Sequence, residues 1–112
     1  VEGLDLFAPG IDIYSAYTGD SYRTGSGEFL AAASVAGTAA LIKSYFPKLT
    51  GSQIRDILLR SVTSRRGAEV EKGIRVDENA TQDLFLFEDL CASGGILNAY
   101  QAVVEAEKTT KK

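Results

Sequence analysis

Residues 29–46 read Phe-Leu-Ala-Ala-Ala-Ser-Val-Ala-Gly-Thr-Ala-Ala-Leu-Ile-Lys-Ser-Tyr-Phe and contain one charged side chain, Lys43. As an α-helix this stretch is about 27 Å long, which is the span of a small domain. A helix that is apolar on every side is normally covered on every side. The stretch therefore predicts a buried central helix, which Pro47 ends.

Two short segments with alternating apolar and polar residues precede this helix. Residues 4–8 alternate and stop at Pro9-Gly10, which predicts a short strand followed by a turn. Residues 11–24 alternate again on both sides of Thr18-Gly19-Asp20, a pattern typical of a β-hairpin.

Two further helices are predicted after the central one. Residues 50–53 (Thr-Gly-Ser-Gln) form a capping-box sequence, and the apolar spacing that follows predicts an amphipathic helix. Asn98 is a typical N-cap for a last helix, with a polar tail at 107–112 that we expect to fray. Between these helices, residues 64–90 carry charges of both signs, and we interpret them as a solvated insertion with a short strand at 84–87.

Composition limits what the chain can do. Its 112 residues fit one small domain or part of a larger one, and a net charge of −3 argues against a surface for nucleic acid or anionic membrane. No apolar run reaches the roughly 20 residues that span a bilayer, and Cys91 has no partner for an internal disulfide. The sequence has no His, so His-dependent chemistry must come from outside it. It also has no Met, and we expect a processed or excised piece.

Other candidate sites lack essential features. Gly25-Ser26-Gly27 could begin a dinucleotide-binding motif, but Leu30 stands where the third glycine is needed. The acidic pairs at 77–78 and 88–89 lack the spacing of a calcium loop. The tyrosines do not lie among basic residues, as a nucleic-acid platform requires. We therefore predict neither a metal nor a cofactor.

Three motifs, in this order along the chain, resemble the subtilisin-like serine proteases. They are the Ala-Pro-Gly turn within residues 6–13, the Gly-Ser-Gly loop at 25–27 followed by Val-Ala-Gly at 35–37, and Gly-Ile-Leu-Asn-Ala-Tyr-Gln-Ala at 95–102. The family writes the second motif as G-T-S-M-A-x-P-x-V-A-G. The resemblance covers residues 4–62 and 94–104.

The resemblance implies an α/β fold, of which residues 1–112 would form the C-terminal portion of a three-layer peptidase domain. This portion would contain an edge strand, a β-hairpin, the buried central helix and two further helices. The family's activity is endopeptidase hydrolysis of peptide or protein substrates through a serine acyl-enzyme. Its usual location is outside the cell or in the cell envelope.

The reactive positions depart from the family motif. Alignment on Gly27 places Glu28 at the Thr position and Phe29 at the nucleophilic Ser. Phe has no heteroatom to attack a carbonyl, and a carboxylate at Glu28 opposes the negative charge of the oxyanion. Because the family order is Asp, His, Ser, the other two members would lie upstream of Val1. We therefore predict an inactive chain in which Ser26, Gly27 and Glu28 are a vestigial oxyanion and substrate loop.

The history of this departure leaves alternatives open. Leu30 and Ala33 stand at the family's Met and Pro positions, so identities are few across 28–33 while both flanks match. This clustering favours one local replacement, engineered or natural, over a long-standing pseudoenzyme. The chain could pair with a missing N-terminal part of the domain, bind peptides without cutting them, or self-associate as a structural fragment. Residues 22–26 could face a substrate.

Overall fold

The computed structural model describes residues 3–65, 67, 69–71, 84–86 and 91–111. Its elements follow one another in the order β1 (Ile13–Tyr17), β2 (Ser21–Gly25), α1 (Glu28–Tyr45), α2 (Gly51–Arg60), β3 (Thr63–Ser64), β4 (Glu69–Glu71), β5 (Leu84–Leu86), β6 (Gly95–Ile96) and α3 (Ala99–Thr110). The mixed α/β class predicted from the sequence is confirmed.

The long helix α1 lies one residue closer to the N-terminus at each end than predicted. It ends where the Lys43 side chain reaches over the loop that follows: Nζ donates to the carbonyl oxygens of Pro47 and Leu49, each at 2.8 Å. A cation at a helix C-terminus also complements the negative end of the helix dipole. Lys43, the charge that interrupts the apolar run, therefore closes the helix.

The helices α2 and α3 begin at the predicted caps. The Thr50 hydroxyl accepts from the Gln53 N–H at 3.2 Å, and the Gln53 side chain accepts from the Thr50 N–H at 2.8 Å, which completes the capping box. The Asn98 side chain accepts from the Gln101 N–H at 3.0 Å. Both predictions are confirmed.

The last helix extends further than predicted. We expected residues 107–112 to fray, yet α3 continues to Thr110. The Thr109 hydroxyl donates to the Glu105 carbonyl at 2.8 Å, and Lys111 lies 2.9 Å from the Glu107 carboxylate. A hydrogen bond from Lys111 and its charge lower the pKa of Glu107. Contacts between residues four positions apart thus support a polar last turn in a segment that we expected to fray.

The strands form three small antiparallel pairs among the described residues. β1 pairs with β2 in register Ile13 to Gly25, as the hairpin prediction requires. β3 pairs with β6, and β4 pairs with β5. β5 confirms the short strand predicted at 84–87 for its first three residues, while most of the 64–90 insertion lies outside the described residues.

The predicted edge strand at 4–8 is an extended segment beside residues 91–97. Phe7 donates to the Gly95 carbonyl at 3.1 Å and accepts from the Leu97 N–H at 2.7 Å, which makes a parallel bridge to Ile96. The carbonyls of Leu4 and Asp5 accept from 92 and 93, each at 2.9 Å. The beginning of the chain is thereby held against the segment that leads into α3.

The core lies where the three helices meet. It contains Ile42 of α1, Ile57 of α2 and the small residues Ala102 and Ala106 of α3, each no more than 1% exposed. Alanine side chains let the backbone of α3 approach the isoleucines closely, so the cluster is well packed although it is small.

The central helix is covered on one side only. Thr38 and Ile42 are its buried residues, whereas Ala36, Gly37 and Ala40 are exposed. The complete burial that we predicted for this helix is therefore not reached within the described part of the chain, because α2 and α3 contact one of its sides. A Cβ on Gly37 would meet nothing within 4 Å.

We expect Gly95→Ala to destabilise the protein and Gly37→Ala to be tolerated. A Cβ at Gly95 would lie 2.7 Å from the Thr63 carbonyl oxygen and would also strike Val62. Such overpacking costs about 1–3 kcal/mol. Gly37 faces open space in a helix, where alanine gains roughly 0.5–1 kcal/mol. Urea denaturation of both variants measures the difference, and equal midpoints would contradict the packing described here.

Candidate functional site

The loop before α1 is tied to the turn that follows the edge segment. The Gly27 N–H donates to the Gly10 carbonyl oxygen at 2.8 Å. The Asp12 N–H donates to the Ser26 hydroxyl at 3.0 Å. Asp12 adopts φ +54°, a left-handed conformation that Asp tolerates better than most residues. Two hydrogen bonds therefore join residues that are far apart in sequence and position the start of the helix.

The two segments also approach so closely that a side chain at position 10 is excluded. A Cβ on Gly10 would lie 2.9 Å from the Gly27 carbonyl oxygen and 3.3 Å from the Ala31 Cβ. Glycine at position 10 is therefore required by contact, not only by the turn.

Glu28 and Phe29 are the first two residues of α1, and both are exposed. The Phe29 side chain is 72% exposed. Its ring lies beside Gly27, since a Cβ there would be 2.8 Å from the Phe29 Cδ1 atom. The ring thus stands at the surface immediately above the Gly10–Gly27 contact.

A groove of about 450 Å³ lies between the hairpin and the start of α1. Apolar and aromatic side chains form much of its wall, with Ile13 and Tyr17 on β1 and Phe29 and Leu30 on α1. The strand β2 contributes Arg23. Ser26, Phe29 and Leu30 are therefore brought to the same groove as the hairpin.

Aromatic contacts organise the hairpin. The Arg23 guanidinium lies over the Tyr17 ring, 4.4 Å from its centroid. Tyr14 and Tyr22 stack with centroids 5.6 Å apart. Side chains alternate between the faces of a strand, so Tyr17 and Arg23 lie on the face opposite the Tyr14–Tyr22 stack. Within residues 22–26, Arg23 thus lines the groove and Tyr22 belongs to the other face.

The groups near the start of α1 do not form a nucleophile–base pair. The Ser26 hydroxyl accepts from Asp12, and the Ser34 hydroxyl donates to the Leu30 carbonyl at 3.3 Å. Among the residues that the structure describes, no group of His, Cys, Asp and Glu could hold a metal ion. No helix in the described ranges is long and apolar enough to cross a membrane.

Sequence reasoning identified the loop but missed what holds it. The bond from Asp12 to Ser26 and the contact of Gly10 with Ala31 join residues 14 and 21 positions apart. A single sequence carries no direct signal for such pairs. The Pro9-Gly10 turn was the available clue, because a glycine there permits close backbone approach.

The chain belongs to the subtilase family. The family model, described as the subtilase family of peptidases, matches residues 2–85. This range includes the edge segment, the hairpin, the loop at 25–27, the whole of α1 and α2, and much of the charged insertion. The resemblance to the family is thereby confirmed. The first two motifs lie within the matched range, whereas the third, at 95–102, lies outside it.

Bacterial proteases are among the similar proteins. The chain is 41% identical over 61 residues to subtilisin DY of Bacillus licheniformis, and the match covers 54% of the chain and 22% of that relative. It is 42% identical over 62 residues to subtilisin Savinase of Lederbergia lenta, covering 55% of the chain and 23% of the relative. The thermostable alkaline protease of Halalkalibacterium halodurans is 42% identical over 60 residues, covering 54% and 17%.

A solved structure shares the fold over most of the chain. A chain from the structure of the subtilase cytotoxin SubAB assembly superposes with a TM-score of 0.64 at 25% identity, covering 93% of this chain and 27% of that one. The present chain therefore spans about a quarter or less of the proteins it resembles.

We expect Gly10→Ala to loosen the start of α1. The new Cβ would press on the Gly27 carbonyl, so the Gly27–Gly10 hydrogen bond would lengthen and stability would fall by about 1–3 kcal/mol. Amide hydrogen exchange should be faster at Gly27 in the variant. Gly51→Ala is the control, because a Cβ there meets nothing within 4 Å. Unchanged exchange at Gly27 would show that the contact does not hold the loop.

Proposed function

We propose that this chain is the C-terminal segment of a subtilisin-like peptidase domain and that it does not catalyse hydrolysis as written. The observation that carries the proposal is Phe29. It follows Gly27 and Glu28 at the start of α1, where the motif of the family has its nucleophilic Ser. Its ring is exposed beside the loop at 25–27.

The chemistry of a serine peptidase requires three contributions that these residues do not make. A phenyl ring cannot form an acyl-enzyme. The sequence contains no His to accept the proton of a nucleophile. Glu28 brings a negative charge to the helix start, where donors to an oxyanion are needed. Restoring a serine at position 29 would therefore not be enough to make this chain a catalyst.

The wider role of the protein follows from its relatives as a proposal. The relatives are named as subtilisins and alkaline proteases, which supports peptide or protein chains as the ligands of the whole domain. Location outside the cytoplasm, in the medium or the cell envelope, fits the same family. The departure at 28–33 marks either a locally replaced segment or a pseudoprotease that holds peptides without cutting them.

We expect no labelling of the purified chain by a fluorophosphonate and no hydrolysis of casein. Phe29→Ser should also remain inactive, because it restores a hydroxyl without a base. Mass spectrometry measures the labelling of both proteins after incubation with the reagent and the hydrolysis of casein after incubation with the substrate, with a subtilisin as the positive control. Stoichiometric modification of a serine in the unmodified sequence would contradict the proposal.

A second proposal concerns association, and an open apolar groove supports it. The groove, of about 510 Å³, lies between α1 and α2, and Leu6, Val35, Ala39 and Leu58 contribute to its wall. The Arg55–Asp5 ion pair, at 3.0 Å, lies at the same groove. Pairing with a missing N-terminal part of the domain, or self-association, would cover this surface.

We expect the isolated chain to associate as its concentration rises. An open groove with apolar walls is a typical site of protein association, so weight-average mass should climb above 12.0 kDa in sedimentation equilibrium across a hundredfold concentration range. Ala39→Glu, which places a charge in the groove, should reduce the effect, and Lys48→Glu on the exposed surface should not. A constant monomer mass with cooperative unfolding would contradict the proposal.

A further inference from the structure

We propose that the groove between the hairpin and the start of α1 binds an extended peptide that places an apolar side chain against Phe29 and Leu30 and an acidic side chain on Arg23. The inference rests on the proposed function in one respect: it takes a peptide as the ligand, as the family does. It adds the two kinds of side chain, one apolar and one acidic, that the bound peptide would carry.

The apolar part of the ligand follows from the wall of the groove. Tyr17, Phe29 and Leu30 present aromatic and aliphatic surface to a space of about 450 Å³. Pockets of this size take the side chains of two or three residues and bury most of a small ligand. The Phe29 ring is 72% exposed in the free chain, so a ligand side chain that covered it would remove apolar surface from water.

The acidic part follows from Arg23. Among the described residues that line the groove, Arg23 is the charged one, and no ion pair joins it to another described residue. Its guanidinium rests on the Tyr17 ring, 4.4 Å from the centroid. A cation–π contact does not use up the N–H donors of the guanidinium, so they can still bind a carboxylate.

The stacking also prepares the cation for binding. A guanidinium held on a ring loses less conformational freedom when a carboxylate arrives than a free side chain does. Opposite charge at the groove therefore favours an acidic group beside an apolar one. The ligand that these features fit is a Phe-Glu or Leu-Asp segment within an extended peptide.

Binding of matched peptides tests the proposal. Fluorescein-labelled Ala-Ala-Phe-Glu-Ala-Ala, its Phe-Gln counterpart and its Ala-Glu counterpart are titrated with the full chain, and anisotropy gives each Kd. We expect the Phe-Glu peptide to bind about two- to fivefold more tightly than the Phe-Gln peptide, the range for an exposed ion pair. The Ala-Glu peptide should bind more weakly, because it leaves the Phe29 ring uncovered.

Variants then separate the two contacts. Arg23→Gln should abolish the preference for Glu over Gln, while Phe29→Ala should weaken all peptides that carry Phe. Lys48→Gln removes an exposed charge outside the groove and is the control. Circular dichroism of each variant establishes that the fold is retained.

Three outcomes would overturn the inference: no binding, equal Kd values for the Glu and Gln peptides, or a preference that survives in Arg23→Gln. Loss of concentration-dependent association in Arg23→Gln would also overturn it, since a second copy of the chain would then occupy the groove. Cleavage of the bound peptide is a separate result, because it would contradict the proposed inactivity and leave the binding preference to be judged by the same Kd values.

Discussion

The packing of Ile42 and Ile57 within one buried cluster holds the described helices together. These residues are 1% and 0% exposed, and Ala102 and Ala106 of α3 complete the cluster from a third direction. Each isoleucine removed from water contributes about 1.5–3 kcal/mol, and a core with so few fully buried large side chains depends on every one of them. The hairpin lies outside this cluster, so the Gly27–Gly10 and Asp12–Ser26 hydrogen bonds hold it against the start of α1. The edge segment packs Leu6 against the cluster and is also held by its hydrogen bonds to residues 92–97.

Features that depend on near neighbours in sequence were predictable. The capping box at 50–53, the N-cap at Asn98 and the hairpin at 11–24 all form as expected. Each of these features depends on residues that are a few positions apart in sequence, and the hydrogen-bonding groups of these residues have few other partners. The loop at 25–27 was identified in the same way, from its glycines and from the helix that follows.

Features that depend on distant residues were not predictable from one sequence. The Gly10–Gly27 contact and the groove beside Arg23 exist only because the fold brings the hairpin, the turn and α1 together. The extent to which α1 is buried also depends on distant residues. Its apolar run requires cover on all sides, but the run itself does not say which part of a protein supplies that cover. The helical last turn of α3 was not predicted for another reason. Polar residues at the end of a chain suggest a frayed tail, and the pairing of Glu107 with Lys111 is visible only in the structure.

The position of Phe29 bears on how a chain of the subtilase family could keep its fold without the family's nucleophile, as we propose. A residue at the second position of a helix, with 72% of its surface exposed, contributes almost nothing to the buried cluster. A substitution at this position therefore costs the fold little, whereas under the proposed alignment it removes the hydroxyl that would attack a substrate. Glycine at 10, by contrast, is enforced by its contact with the Gly27 carbonyl and Ala31, and glycine at 27 by its φ of +159°. Stability and the proposed loss of chemistry thus concern different residues of the same loop. The surface at the start of α1 presents an aromatic ring beside a groove, and the proposed function uses this arrangement to hold a ligand.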